Sequence, residues 1–231
     1  GGRWVNMPLP APSSSRIERK LNLQLTTSGT LQGKATVTYT GLEALWRRIA
    51  ERNEDETDRK QFLEDDIQGA IPSGSDATLT NAPAWNSSEP SLVAEYDLTV
   101  PGWAAAAGRR ALLPVGLFGA GEKHTFEHAA RVHALYFSFP YQHVDDITIE
   151  LPAGWEVTST PPPRGADLKL VAYDIATLTG KGTLHLKRNL TLNLTLVDRQ
   201  YYESLRGFFQ KVRSGDEEQI VLSPGAAPAR H

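Results

Sequence analysis

Asp146-Ile147-Thr148-Ile149-Glu150-Leu151-Pro152-Ala153-Gly154-Trp155-Glu156-Val157 is the stretch from which the fold can be read. Ile147, Ile149 and Leu151 alternate with Thr148 and Glu150, the period of a strand with one buried face. Pro152 has no N–H for a ladder and Gly154 tolerates positive φ, so residues 151–154 read as a turn. Trp155 and Val157 then resume the alternation. A strand, a turn and a second strand follow one another without a gap.

The same device recurs in both directions. Toward the C-terminus, Pro161-Pro162-Pro163 makes a rigid connector. Leu168, Leu170 and Ala172 alternate, as do Leu184 with Leu186, and then Leu190, Leu192, Leu194 and Leu196. Turns are expected at Gly165, at 179–182 and at Arg188-Asn189, and a further strand at 132–139. These spacings predict an antiparallel sheet with one wet face. Tyr201, Leu205, Phe208 and Val212 then fall at i, i+4, i+7 and i+11, the stripe of an amphipathic helix. Asp198 is placed to cap it, Lys211 and Arg213 suit its C-terminal dipole, and Gly215 is expected to stop it. A short strand at 220–222 closes the pattern.

Toward the N-terminus, Leu21, Leu23 and Leu25, a Ser28-Gly29 turn, and Ala35, Val37 and Tyr39 predict a hairpin. Gly41 marks a change of period. Leu42, Leu45, Trp46 and Ile49 lie at i, i+3, i+4 and i+7, a helical face expected to be buried, Trp46 included. Residues 51–66 carry eight carboxylates, and Phe62, Leu63 and Ile67 suggest a second helix ending before Pro72. Strands are expected at 78–81, 92–100 and 110–113, and the Gly-rich run 116–121 separates two halves. The fold expected is mainly β, α+β in detail. It has antiparallel sandwich-like sheets, a helical insertion near 41–70 and a C-terminal amphipathic helix near 200–213. The expected organisation is a Pro/Ser-rich linker at 1–15, an N-terminal β lobe at 16–120, a C-terminal antiparallel sandwich lobe at 121–222 and a tail at 223–231. Trp4, Val5 and Met7 are able to pin the linker onto a neighbouring surface.

With 231 residues, 40% of them hydrophobic, the chain can bury a real core. Its 24 basic and 27 acidic residues leave a net charge of −3, and no basic block points to nucleic acid. No apolar run reaches the ~20 residues of a membrane-spanning helix. There is no cysteine, which removes disulfides, thiolate metal sites and a cysteine nucleophile from this chain. The opening Gly1-Gly2 in place of methionine leads us to expect a piece excised from a longer protein.

Motifs for chemistry are few. His124-Thr125-Phe126-Glu127-His128 fits H-x-x-E-H, in which two histidines on one helical face hold zinc. A Gly-rich loop precedes it, a strand is expected just after it, and Glu203 is the nearest thing to a third ligand, so a polar loop with surface histidines is the stronger reading. Asn53, Asp55, Thr57, Gln61 and Glu64 have calcium-loop spacing, but Asp58 stands where that loop turns on glycine. Interleaved Arg52, Arg59 and Lys60 instead suit a solvated helix pair. No G-x-S-x-G and no phosphate-binding loop is present. Asp145 and Asp146 should point to opposite faces of their strand. The sequons at Asn86, Asn189 and Asn193 matter only in a glycosylating pathway. No catalytic, cofactor or metal site is therefore assigned. Trp85, Trp103 and Trp155 lie beside turns, where an exposed indole can stack on a sugar or a partner side chain, although large aromatics are more often core.

Several phrases together resemble a family: Gly33-Lys34-Ala35-Thr36-Val37 leading to a helix at 41–48, Leu112-Leu113-Pro114 before Phe118, Arg131 before Tyr136-Phe137, then 147–154 and 201–212. This combination is similar to the C-terminal region of bacterial transglutaminase-like proteins, in which a β-rich domain of unknown function and a papain-like core come first. The resemblance covers residues 16–222. It implies that the catalytic Cys, His and Asp lie upstream and that this chain is a non-catalytic accessory domain, without cofactor, whose partners are the upstream domains. It also implies a bacterial cell-envelope location, periplasmic or secreted, although the first twenty residues show no signal peptide. The alternative expectation is an independent module that binds envelope glycan or protein through exposed aromatics.

Overall fold

The computed structural model describes residues 8–86, 89–119, 126 and 128–225. After a 3₁₀ turn at Pro12–Ser14 come strands β1 (Arg16–Leu25) and β2 (Leu31–Thr40), then helices α1 (Leu42–Ala50) and α2 (Glu56–Gln68). β3 (Asp76–Leu79), β4 (Ser91–Val100), β5 (Ala105–Ala107) and β6 (Arg110–Pro114) complete the first half. The second half holds β7 (Leu135–Tyr136), β8 (Tyr141–Glu150), β9 (Trp155–Ser159), β10 (Arg164–Asp167), β11 (Val171–Gly180), β12 (Thr183–Leu192) and β13 (Leu196–Val197). A 3₁₀ turn at Arg199–Tyr201 then leads into α3 (Tyr202–Asp216), and β14 (Gln219–Pro224) follows. The protein is mainly β, with a helical insertion and a C-terminal helix.

Eight strands make one sheet in the order β10-β11-β12-β8-β1-β2-β4-β3, and four make a second in the order β5-β6-β14-β9. The turn Leu151–Gly154 carries the chain from β8 in the larger sheet to β9 in the smaller, with Trp155 N–H donating to the Pro152 carbonyl at 3.0 Å. Pairing in the large sheet is antiparallel apart from β1 and β8, which run parallel in register from Arg16↔Gln142 to Gln24↔Glu150. Strands from both sides of residue 120 therefore share both of these sheets, since β6 also pairs with β14, while β7 and β13 pair with each other.

The alternation of each long strand divides the large sheet into two faces. Leu21, Leu23 and Leu25 of β1, Tyr39 of β2, Leu92, Ala94, Tyr96, Leu98 and Val100 of β4, Ile147 and Ile149 of β8, and Leu184, Leu186, Leu190 and Leu192 of β12 face inward. Leu63 and Ile67 of α2, Leu113, Ile220 and Leu222 of the small sheet, and Leu205, Phe208 and Val212 of α3 join them in one hydrophobic cluster. The opposite face is wet. Lys187, Asp146, Lys20, Thr36 and Glu95 lie side by side across five strands, so neighbouring charges alternate in sign; such pairs favour this register.

Several local expectations are corrected. Arg188-Asn189 is no turn: β12 runs straight through it, and Arg188 occupies an inward position between Leu186 and Leu190. Gly165 lies inside β10, and Leu168 and Leu170 are exposed in the turn before β11, whose inward residues are Val171, Tyr173 and Ile175. The strand expected at 132–139 shrinks to Leu135–Tyr136, with Val132 exposed. Gly215 does not stop α3, which continues to Asp216; a β-carbon there would stand 2.5 Å from the Tyr173 hydroxyl.

Candidate interaction surfaces

Helix α1 is mounted with its apolar stripe outward. Gly41 sets this orientation: its φ of 58° turns the chain, and any side chain there would run into the Ser14 carbonyl. Leu42 N–H donates to the Ser15 hydroxyl at 3.3 Å, which anchors the first turn to the segment entering the sheet. The inward positions are then Glu43, Ala44 and Arg47. Arg47 donates to Glu43 Oε2 at 2.7 Å and to Asp66 Oδ2 at 2.8 Å, lies 3.8 Å over the Tyr39 ring, and shares Asp66 Oδ2 with the Tyr39 hydroxyl at 2.9 Å. Burial, reinforced by Asp66, holds the Tyr39 phenol well above its ordinary pKa, so it serves as a donor. A charge that is paired and hydrogen-bonded can stay buried, and this one claims the inner face of the helix.

The stripe is left in solvent. Leu45, Trp46 and Ile49 are 48%, 52% and 62% exposed, against the expectation that Trp46 is core. Phe62 of α2 is the aromatic neighbour of Trp46, at a ring separation of 5.8 Å. Arg48 ties the helix to the segment before β4 and to its first residue by donating to the carbonyls of Ala84, Glu89 and Ser91. The surface is therefore apolar and firmly held.

A second buried charge cluster crosses the middle of the large sheet. Arg188 meets Asp216 of α3 through two hydrogen bonds of 2.8 and 2.9 Å, and Tyr173 donates to the same carboxylate at 2.9 Å. Asp145 stands between Arg188, at 3.7 Å, and Arg19, at 3.4 Å, and Arg19 stacks on Phe118 at 4.2 Å. Asp146, one residue on, faces the other side and pairs with His185 at 2.5 Å. The loop Val115–Gly119 wraps Asp216, with Gly116 N–H on the Asp216 carbonyl at 2.9 Å. Between the two clusters is a cleft of about 270 Å³ lined by Arg19, Tyr39, Arg47, Asp66, Phe118 and His143. Burial first, then Arg19, Arg188 and Arg47, push the His143 ring well below the ordinary imidazole pKa. Its Nδ1 is sealed from solvent without a hydrogen-bond partner. Each carboxylate near it is engaged by arginine, and no hydroxyl is hydrogen-bonded to His143 among the described residues. This arrangement fixes elements to one another.

The remaining expected sites are dispersed. His124 and Glu127 lie outside the described residues. The His128 carbonyl accepts from the Tyr202 hydroxyl at 2.7 Å, and Glu203 is exposed on α3. Among the described residues no group of three His, Asp or Glu side chains converges as for a metal. The calcium-like spacing is interrupted by α2, whose first turn Asp55 caps by accepting from Thr57 and Asp58 N–H. Trp103 is buried, Trp85 lies under Arg59, and Trp155 is half-buried beside the turn after β8. Among the described tryptophans the most available, Trp46, is the one whose helical spacing argued for burial. No helix among the described residues is long and apolar enough to cross a membrane.

Residues 109–222 match the family model for DUF3858, described as a domain of unknown function with a solved structure. The match runs from β6 into β14 and takes in the Arg188–Asp216 pair, while α1 and α2 lie outside it. No curated protein matches the chain.

Proposed function

We propose that this chain is a non-catalytic accessory domain of a larger transglutaminase-like protein of the bacterial envelope, docking on the upstream core through α1. One observation carries this reading: Leu45, Trp46 and Ile49 stand in solvent on a helix whose other face is pinned by Arg47. Burying a Leu, Ile or aromatic side chain is worth about 1.5–3 kcal/mol, so covering the stripe returns several kcal/mol that the domain alone forgoes. The path of the chain supports the choice of partner. Ser14 and Ser15, which lead into β1, stand beside Gly41 and Leu42 at the start of the helix that carries the stripe. The resemblance to transglutaminase-like C-terminal regions supplies the nature of the core and its location.

Titration calorimetry between this chain and the separately expressed upstream portion of its parent tests the reading. A micromolar or tighter complex, about −8 kcal/mol or stronger, is expected. Ile49→Asp should weaken it at least about tenfold while shifting the stability of the domain by less than about 0.5 kcal/mol, as an exposed position should. No detectable binding, or binding indifferent to Ile49→Asp, would overturn it.

A further inference from the structure

At the opposite end of the sheet from α1, three turns converge on a cleft of about 380 Å³, a size ordinary for small-molecule sites. The β1–β2 turn forms one wall. It is held by a hydrogen bond of 2.8 Å between the Thr26 and Ser28 hydroxyls, by Thr30 N–H on Thr26 Oγ1 at 3.0 Å, and by Ala104 N–H on the Gly29 carbonyl at 2.9 Å. The turn from β8 to β9 forms another and supplies the half-buried Trp155. The β5–β6 hairpin forms the third, with Arg109 and Arg110 at its tip. Both arginines are exposed, and neither has an ion-pair partner among the described residues. Among the described residues no carboxylate lines the cleft, so its lining carries two positive charges in a protein whose net charge is −3.

This combination differs from the two arginine clusters inside the protein. There each guanidinium is matched by Asp or Glu, and the chemistry is used up in holding the fold. Here an indole, two unmatched guanidinium groups and the hydroxyl-bearing tip of a hairpin line one preformed concavity. Fixed walls lower the ordering cost of binding. The negative face of the indole attracts the polarised C–H groups of a saturated ring, guanidinium groups grip carboxylates in two-pronged fashion, and hydroxyls suit a ligand rich in its own hydroxyls. We infer that this cleft binds an anionic saccharide, a sugar ring laid on Trp155 with its carboxylate on Arg109 and Arg110. Planar nucleobases are a poorer fit, because among the described residues no Asn, Gln or carboxylate side chain lines the cleft to read their edges. The site is remote from Leu45, Trp46 and Ile49, so it is independent of the docking reading and its failure would leave that reading intact.

The experiment is a titration of the full chain, followed by tryptophan fluorescence and calorimetry. Three probes are used: a trigalacturonate, the neutral maltotriose, and adenosine monophosphate. Saturable binding of the trigalacturonate is expected, weakening as salt screens the charges, with maltotriose at least about tenfold weaker, as expected for a lost charge-assisted contact. R109S together with R110S should reduce trigalacturonate affinity by at least about tenfold, without altering the fold, because both side chains are exposed. Trp155→Phe should remove most of the fluorescence response while calorimetry still detects the complex. The proposal is overturned by the absence of saturable binding up to roughly 10 mM, by equal affinity for maltotriose, by stronger binding of the nucleotide, or by indifference to the double arginine replacement.

Discussion

Asp145 lies between two guanidinium groups, and burial first, then the surrounding arginine charge, decides how the nearby His143 behaves. With its Nδ1 sealed from solvent and Arg19, Arg188 and Arg47 close by, the ring is held neutral in the fold, well below the ordinary imidazole pKa. The unfolded chain takes up a proton below about pH 6.5, whereas the folded chain does not. Stability is therefore fully present above that pH and is lost as pH falls toward the depressed folded value, at up to about 1.4 kcal/mol per pH unit. Urea denaturation of the native chain and of His143→Gln across pH 7.5 to about 5 should show the steeper fall in the native chain; parallel curves would mean that the ring titrates freely. The same residues explain what sequence reading missed. Ile17, Arg19, Leu21 and Leu23 alternate perfectly once Arg19 is counted as inward, as do Leu184, Leu186, Arg188, Leu190 and Leu192. An arginine in such a run reads as a turn or a solvent residue, because nothing local reveals a carboxylate waiting on a distant strand or helix. The charge clusters were illegible for that reason.

Among the elements, α1 shows the limit of periodicity most clearly. The 3.6-residue stripe of Leu42, Leu45, Trp46 and Ile49 correctly placed a helix, but the period says only that two faces differ, and Arg47 with its partners took the inner one. The hairpin β1–β2, the strand β4 and the turn at Pro152–Gly154 were legible because each is decided by local alternation and turn chemistry. The phase of β11 was not, since Leu168 and Leu170 imitate a strand that begins only at Val171. α3 illustrates how an element is held in place. Val115–Gly119 closes over its end, and a β-carbon at Gly116 would stand 2.5 Å from Asp216 Cβ and 2.8 Å from its Cα. Gly116→Ala should accordingly cost about 1–3 kcal/mol or more, seen as a lowered urea midpoint with an unchanged slope; an unaltered midpoint would show that the loop yields freely.

In the molecule as a whole, composition and patterning indicated a mainly β protein with helices in two places, and that is what forms. Which strands become neighbours was not legible, because long-range pairing leaves no mark in a single sequence. The segment matching the family model begins at residue 109, yet its β8 leans on β1, and Asp145 in that strand is neutralised partly by Arg19. A fragment of residues 109–222 would expose the inner edge of β8 and strand a buried carboxylate. The full chain should unfold in a single cooperative transition, while the fragment should show none by circular dichroism and should give collapsed amide dispersion by NMR. A fragment that melts cooperatively would make the C-terminal half a folding unit in its own right.

The parallel register of β1 with β8 also bears on synthesis. A ribosome releases the hairpin β1–β2 and strand β4 long before Tyr141–Glu150 has emerged, since paired residues such as Gln24 and Glu150 are 126 positions apart. Until then the nascent sheet ends in an open strand, with its N–H and C=O groups free to recruit any extended peptide nearby. Contacts so distant along the chain also form slowly. The interval between the two strands is thus a window of vulnerability, to be shortened by fast translation or guarded by a chaperone.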